Sequence, residues 1–388
     1  MTTPIIITFC VLLLIGYAFD LTSSRTKIPS VILLLLLGWI VRQLTGLFDI
    51  QLPDFSSILP VLGTIGLILI VLEGSLELEL NKSKFDLIRK SFIGALIPML
   101  ALAFVLALLF RYIGHYSFKE SLINAMPFCV ISSAIAISSV RDLPAYSKEF
   151  VIYESSLSDI LGVIIFNFLA LNETINAHSF GLFGLQLILM AVISIGATVG
   201  LSFLMNKIEH HVKFVPIILL LILIYTVSKI YHLPGLIFIL LFGLFIGNLD
   251  ELKRFKFIER FKPEKLNTEV IKFKELTNES VFLVRALFFM LFGYLIQTSE
   301  VMNADTFLWA LGIVFFIFIF RTIQLKLSKL PLKPLIYVAP RGLITILLFL
   351  SIEPTQTISL VNNSLVIQVI IITALIMMIG LMTSKTEQ

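Results

Sequence analysis

"ESSLSDILGVIIFNFLA", residues 154–170, is an apolar helical sequence with two carboxylates, Glu154 and Asp159, in its first two turns. In a soluble protein such acids would be unremarked. Inside a bilayer an ionised side chain costs roughly 3 kcal/mol or more, so acids there are rare and face a protein interior or a water-filled cavity. Whether this stretch lies in lipid therefore decides both the fold class and the meaning of the two acids.

Composition places it in lipid. The chain has 388 residues, 58% hydrophobic and only 14% charged; soluble domains run at about 45–50% apolar and about 25% charged. Thirteen apolar segments are long enough, or nearly so, to span: roughly 4–20, 28–41, 58–76, 91–110, 121–140, 149–170, 182–205, 214–231, 235–249, 280–297, 306–325, 334–351 and 364–383. The expected fold is an all-α integral membrane protein of 13 transmembrane helices. The run 5–19 lacks a basic leading region and a small-residue cleavage site, so it reads as a retained helix and not a signal peptide. Cys10 and Cys129 both sit in apolar runs, which argues against a disulfide framework.

Charge sets the orientation. With the amino terminus outside, twenty-two of the 29 lysines and arginines fall on inside loops and the tail, four fall outside, and Arg285, Arg321 and Arg341 lie within spans. Such a bias predicts an external amino terminus and a cytoplasmic carboxyl terminus, and a place in the plasma (cell inner) membrane. The sizeable loop 251–279, "ELKRFKFIERFKPEKLNTEVIKFKELTNE", is basic and amphipathic. It reads as a cytoplasmic connector resting on anionic lipid, with a regulatory surface as the alternative. The basic balance thus points to lipid and not to nucleic acid. The chain ends a few residues after the last span, so no soluble regulatory domain is expected.

The spans hold three acids, Glu73, Glu154 and Asp159, and three bases, Arg285, Arg321 and Arg341. A balanced set suits helix-joining ion pairs, and that reading covers Glu154, Arg285 and Arg341. Arg321, about a turn from Lys326, reads as snorkelling towards the inner surface. Glu73 lies near the cytoplasmic end of its span and suits a wetted helix end. Asp159 lies about ten residues into its span, with Ser155 one turn away on the same face and Ser158 beside it. Glu154, five positions away, points elsewhere. The two acids are therefore expected to do separate work, Asp159 facing a cavity; a buried structural partner is the competing reading.

Two spans are interrupted. "NAMPFCVISSAIAISSV", 124–140, carries Pro127 and hydroxyls at Ser132, Ser133, Ser138 and Ser139, and "PLIYVAPRGLITIL", 334–347, carries Pro340 before Arg341-Gly342. They are spans 5 and 12, and by topology they run in opposite directions. That pattern points to an inverted-repeat secondary transporter with its site near the midplane. Irregular backbone at that depth is tolerated only where it lines a cavity or is buried in protein.

These residues resemble the monovalent cation/proton antiporter superfamily, and more closely its sodium/proton exchanger branch. Glu154-Ser155-Ser156-Leu157-Ser158-Asp159 is similar to that branch's E-S-L-x-N-D signature, with Ser158 in place of asparagine. "ISSAIAISSV" resembles its A-T-D-P-V-A-V-S-S-V crossover, with Ser132 on the threonine, Ser133 on the aspartate and Ala134 on the proline. "RALFFMLFG" (285–293), "PRGLITILL" (340–348) and "VLEGSLELEL" (71–80) resemble three further motifs in the same order.

The resemblance implies an antiporter fold with two crossing broken helices, in a homodimer. Its core would hold spans 4–6 and 11–13, and its dimerisation part spans 1–3 and 7–10. It implies that Asp159 carries the cation or proton with Ser155, Ser158, Ser132, Ser133 and Glu73 nearby, and that Glu154 pairs with Arg341. The implied cargo is Na+, with Li+ or K+ also suiting an oxygen-lined site, exchanged for protons in pH homeostasis without a cofactor. One acid holding either a cation or a proton couples the two fluxes. Electroneutral exchange is expected, because Ser158 supplies no second acid; Arg285, where the electrogenic branch has a lysine, argues the other way. An intramembrane enzyme would need a catalytic cluster, yet the five histidines fall at loops or span ends. A non-transporting sensor on the same scaffold stays open, since Ser133 and Ser158 replace polar groups of the family's site.

Overall fold

The computed structural model describes residues 2–26, 28–49, 55, 57–79, 81–140, 142–172, 174–207, 213–249 and 263–384. Among them there are helices, turns and loops but no strand. A helix satisfies its own backbone polar groups, which is what a chain this apolar needs in lipid. The elements are α1 (Thr2–Thr26), α2 (Ser30–Leu47), α3 (Ile58–Glu77), α4 (Phe85–Gly114), α5 (Phe118–Ala125), α6 (Ser133–Ser139), α7 (Ala145–Leu171), α8 (Ala177–Lys207), α9 (Phe214–Ile230) and α10 (Leu236–Gly247). They continue with α11 (Pro263–Leu295), α12 (Thr298–Val301), α13 (Ala304–Leu327), α14 (Leu343–Leu350) and α15 (Asn363–Thr383).

Among the described residues, ten helical stretches are long and apolar enough to cross a membrane, and α9 and α10 are shorter apolar helices. Each of the thirteen apolar segments coincides with a helix or a broken helix. The count of thirteen crossings stays an expectation, because α9, α10 and the broken segment 334–351 fall short of a full-length span. Leu14, Ile188, Val192 and Phe315 are exposed large apolar side chains on these helices, as a lipid-facing surface requires.

Local sequence explains the element ends. Ser117 and Glu120 cap α5 reciprocally, the Ser117 hydroxyl accepting from the Glu120 N–H at 3.2 Å and the Glu120 carboxylate from the Ser117 N–H at 3.4 Å. Asn362 caps α15 by accepting from the Leu365 N–H at 3.1 Å. Pro127 sits in the 3₁₀ turn Met126–Phe128 that closes α5, and residues 129–132 are not helical before α6 begins. The second interruption has the 3₁₀ turn Leu335–Tyr337, then non-helical residues 338–342, then α14.

The chain forms two compact units. The first comprises residues 1–64, 90–162 and 283–388, and the second residues 65–89 and 163–282. In the second unit α10 packs on α8, and the Asn248 side chain at the end of α10 donates to the Leu78 carbonyl at 2.7 Å. An aromatic group of Phe214, Phe238, Phe242 and Phe273 lies in the same unit. Lys213 pairs with Glu269 at 2.5 Å. The first unit contains both interruptions and the helices around them.

The basic connector departs from its sequence reading. Residues 251–262 lie outside the described residues. From Pro263 onward, however, the chain is one helix running to Leu295, and its Phe273 and Thr277 are fully buried. The physical reason is that 264–292 contains neither proline nor glycine. Glutamate, lysine and leucine are good helix formers whatever the charge density, so α11 begins well before the apolar run at 280.

Candidate functional site

The two interruptions meet within the first unit. The Ser132 N–H donates to the Pro340 carbonyl at 3.0 Å, a main-chain bond between the two non-helical segments. Gly342 makes this approach possible. A Cβ there would stand 2.7 Å from Ile135 Cδ1 and 2.8 Å from Ser132 Oγ. Arg341, one residue earlier, is buried and spreads its donors over carbonyl groups. Its Nε–H reaches Phe128, its Nη1 reaches Ala339 at 3.0 Å, and its backbone N–H donates to Thr373 Oγ1 at 3.2 Å. Phe128 ends the first half of the first broken helix, where carbonyls lack intrahelical donors and carry partial negative charge. Arg341 thus closes a helix end.

Asp159, on α7, stands at the start of the second half, α6. Its side chain is 1% exposed. Oδ2 accepts from the Ser133 backbone N–H at 3.3 Å and, over a short contact, from the Ser133 hydroxyl. Ser133 N is the first amide of α6, one of the donors a helix start leaves open, so the acid on α7 caps a neighbouring half-helix. Its other oxygen, Oδ1, is buried and has no hydrogen-bond partner, and the same is true of the Ser132 hydroxyl next to Ser133. Buried polar atoms without partners are uncommon. Here one is a carboxyl oxygen and the other a hydroxyl oxygen, a donor set suited to a hard cation or a proton.

The remaining candidate residues separate. Ser155, one turn before Asp159, donates its hydroxyl proton to the Val151 carbonyl at 2.7 Å, which leaves its oxygen lone pairs uncommitted. Ser158 instead accepts from the Ile131 N–H at 3.0 Å and so holds the non-helical segment against α7. Glu73 belongs to the second unit. Arg285 pairs with Asp20 at 3.2 Å, and Ser30 donates to the same carboxylate oxygen at 3.1 Å.

Glu154 and the arginines need a correction. The expected Glu154–Arg341 pair does not form. Glu154 Oε1 instead accepts from Arg321 Nη1 at 2.6 Å and from the Gln324 amide, which also bonds the same guanidinium. Nor does Arg321 snorkel: it is 3% exposed, and its Nε donates to the Leu335 carbonyl at 3.1 Å. The reason is geometric. Gly94 on α4 leaves the space in which Gln324 and Glu154 meet, since a Cβ there would stand 2.5 Å and 3.2 Å from them. Arg341 is meanwhile held at the half-helix end. Sequence reasoning missed Asp20, Gln324 and Thr373; Gln324, three residues after Arg321 on one face of α13, carried the only readable signal.

Interrupted helices that cross at a buried acid, in an all-helical chain of many apolar spans, define an integral membrane transporter fold. The sequence profile described as "Sodium/hydrogen exchanger, transmembrane" matches residues 10–386. The chain belongs to the sodium/hydrogen exchanger family. No curated protein matches it in sequence. In structure it is similar to the sodium proton antiporter MjNhaP1 from Methanocaldococcus jannaschii at pH 8, with a TM-score of 0.67, 20% identity, and coverage of 98% of this chain and 96% of that one. An electron-microscopy structure of the same antiporter gives a TM-score of 0.69 at 18% identity, covering 98% and 95%. At these identities the likeness concerns the fold.

Proposed function

We propose that this protein exchanges a monovalent cation, Na+ in the first instance, for protons across the cell inner membrane, one for one. The observation that carries the reading is Asp159, a buried carboxylate with one oxygen anchored on Ser133 and the other without a partner. A carboxylate shielded from water can be neutralised by a proton or by a cation held with neighbouring oxygens. Ser132, Ser133 and Ser155 supply such oxygens. Neutral in either form, the site can pass an apolar barrier, and empty it cannot. That alternation couples the two fluxes without a cofactor.

The proposal includes an external amino terminus, a cytoplasmic carboxyl terminus, a homodimer, and a moving core of spans 4–6 and 11–13 against spans 1–3 and 7–10. Potassium/proton or electrogenic exchange is the alternative within the class. A non-transporting sensor is the alternative outside it, favoured by serine at 133 and 158. The test is a pH-sensitive dye in everted vesicles, scanning Na+, Li+ and K+ across pH. Proton release on adding one of these cations supports exchange; silence at every pH and cation supports the sensor.

A further inference from the structure

Behind the crossing, within the first unit, lies a half-open cavity with about 20 Å³ of space for an occupant, whose wall includes Gly94, Cys129, Ser158, Arg321, Gln324 and Arg341. A water molecule needs roughly 10–15 Å³ of such space, so the cavity holds one small occupant. Its polar wall is rich in donors. Arg321 Nη2 is buried and has no acceptor. Ser158 Oγ already accepts from the Ile131 N–H, which leaves its hydroxyl proton to be given. The Cys129 thiol is engaged with the Ala125 carbonyl at 3.2 Å.

Charge decides the occupant. Two guanidiniums border the cavity, and among the described residues their one ion pair is Arg321–Glu154. Arg341 gives its side-chain hydrogen bonds to carbonyl groups and forms no ion pair of its own, and carbonyl dipoles carry only partial charge. A water could accept from Arg321 and donate to the Gly94 carbonyl, whose usual donor four residues on is missing because that residue is Pro98. It would leave the surplus positive charge in place. An anion accepts from Arg321 and Ser158 together and removes the surplus.

We propose that this cavity is a binding site for a small monovalent inorganic anion of halide size, separate from the cation site at Asp159. It stands on the opposite chemistry, donors where Asp159 offers acceptors, and does not depend on the transport reading. An anion lodged between Ser158 and the arginines would brace the crossing from behind.

The test uses the whole purified protein in detergent, in sodium salts at equal sodium concentration and ionic strength. Chloride and bromide should raise the melting temperature saturably, as a ligand of the folded state does. Gluconate, too large for the cavity, should not. Ser158→Ala removes one donor and should weaken the half-saturating bromide concentration about ten-fold, the effect of losing a hydrogen bond to a charged group. Crystals grown in bromide should show an anomalous peak against Arg321. Equal melting in chloride and gluconate overturns the proposal. So does a halide effect of unchanged midpoint in Ser158→Ala, or a cavity whose density in bromide is water alone.

Discussion

Arg321 Nη1 lies 2.6 Å from Glu154 Oε1, with both side chains almost completely buried. This contact joins α13 to α7, and Gln324 closes it from the same helix. Because Glu154 is satisfied here, Arg341 is available to close the half-helix at Phe128. The two arginines therefore divide the work that one pair was expected to do.

Removing either partner of a buried ion pair strands the other, at a cost of roughly 3–5 kcal/mol. Glu154→Gln and Arg321→Met should each lower thermal stability in detergent, and the double variant should lose clearly less than their sum. Glu154→Gln combined with Arg341→Gln should show much weaker coupling, since no hydrogen bond joins the two. A cycle in which Arg341 couples to Glu154 and Arg321 does not would refute the pairing.

Asp159→Asn keeps the shape of the side chain but not its charge. The variant should fold with the wild-type melting profile within a few degrees and lose cation-driven proton flux. Retained exchange above a tenth of wild type, read by dye in vesicles, would remove Asp159 from the centre of the mechanism.

Stoichiometry follows from which groups at the site can release a proton. Ser133 and Ser158 cannot, and Arg285 stays charged, as a guanidinium does, beside Asp20. In proteoliposomes at a fixed pH gradient, an imposed membrane potential should leave cation-driven flux unchanged. A flux that rises or reverses with potential would mean that a second proton moves.

Gly342→Val should widen the crossing. The added atoms meet Ile135 and Ser132 at under 3 Å, and overpacking of this kind costs about 1–3 kcal/mol. Both the melting temperature and the transport rate should fall, since Ser133 and its bond to Asp159 follow directly on Ser132. A variant that matches wild type in both would show that the segments close without the glycine.

Much of the architecture was legible because its signals are local. Apolar runs give helices, and Pro127 and Pro340 mark the two breaks. Asp159 stood out by depth, and its partner Ser133 by position in the crossover resemblance. Pairings were not legible. Three acids and three arginines balance in several combinations, and only packing at Gly94 selects Glu154 with Arg321. Asp20 escaped notice because it falls at the end of a span, where an acid needs no partner. The early start of α11 was hidden because charge density in 263–279 reads as loop, while helix formation is indifferent to it.

The bond from the Ser132 N–H to the Pro340 carbonyl belongs to the peptide backbone, and any residue other than proline can donate it. A joint made this way asks for glycine at 342 but places no demand on the side chain of residue 133. On the proposed reading, substitution at 133 can therefore retune which ions are accepted without dismantling the place where they are held. Serine at 133, where the resemblance expects an acid, is accordingly a difference of chemistry on an intact backbone joint, and a search for altered selectivity is better aimed at the hydroxyls of 132, 133 and 155 than at the helices that present them.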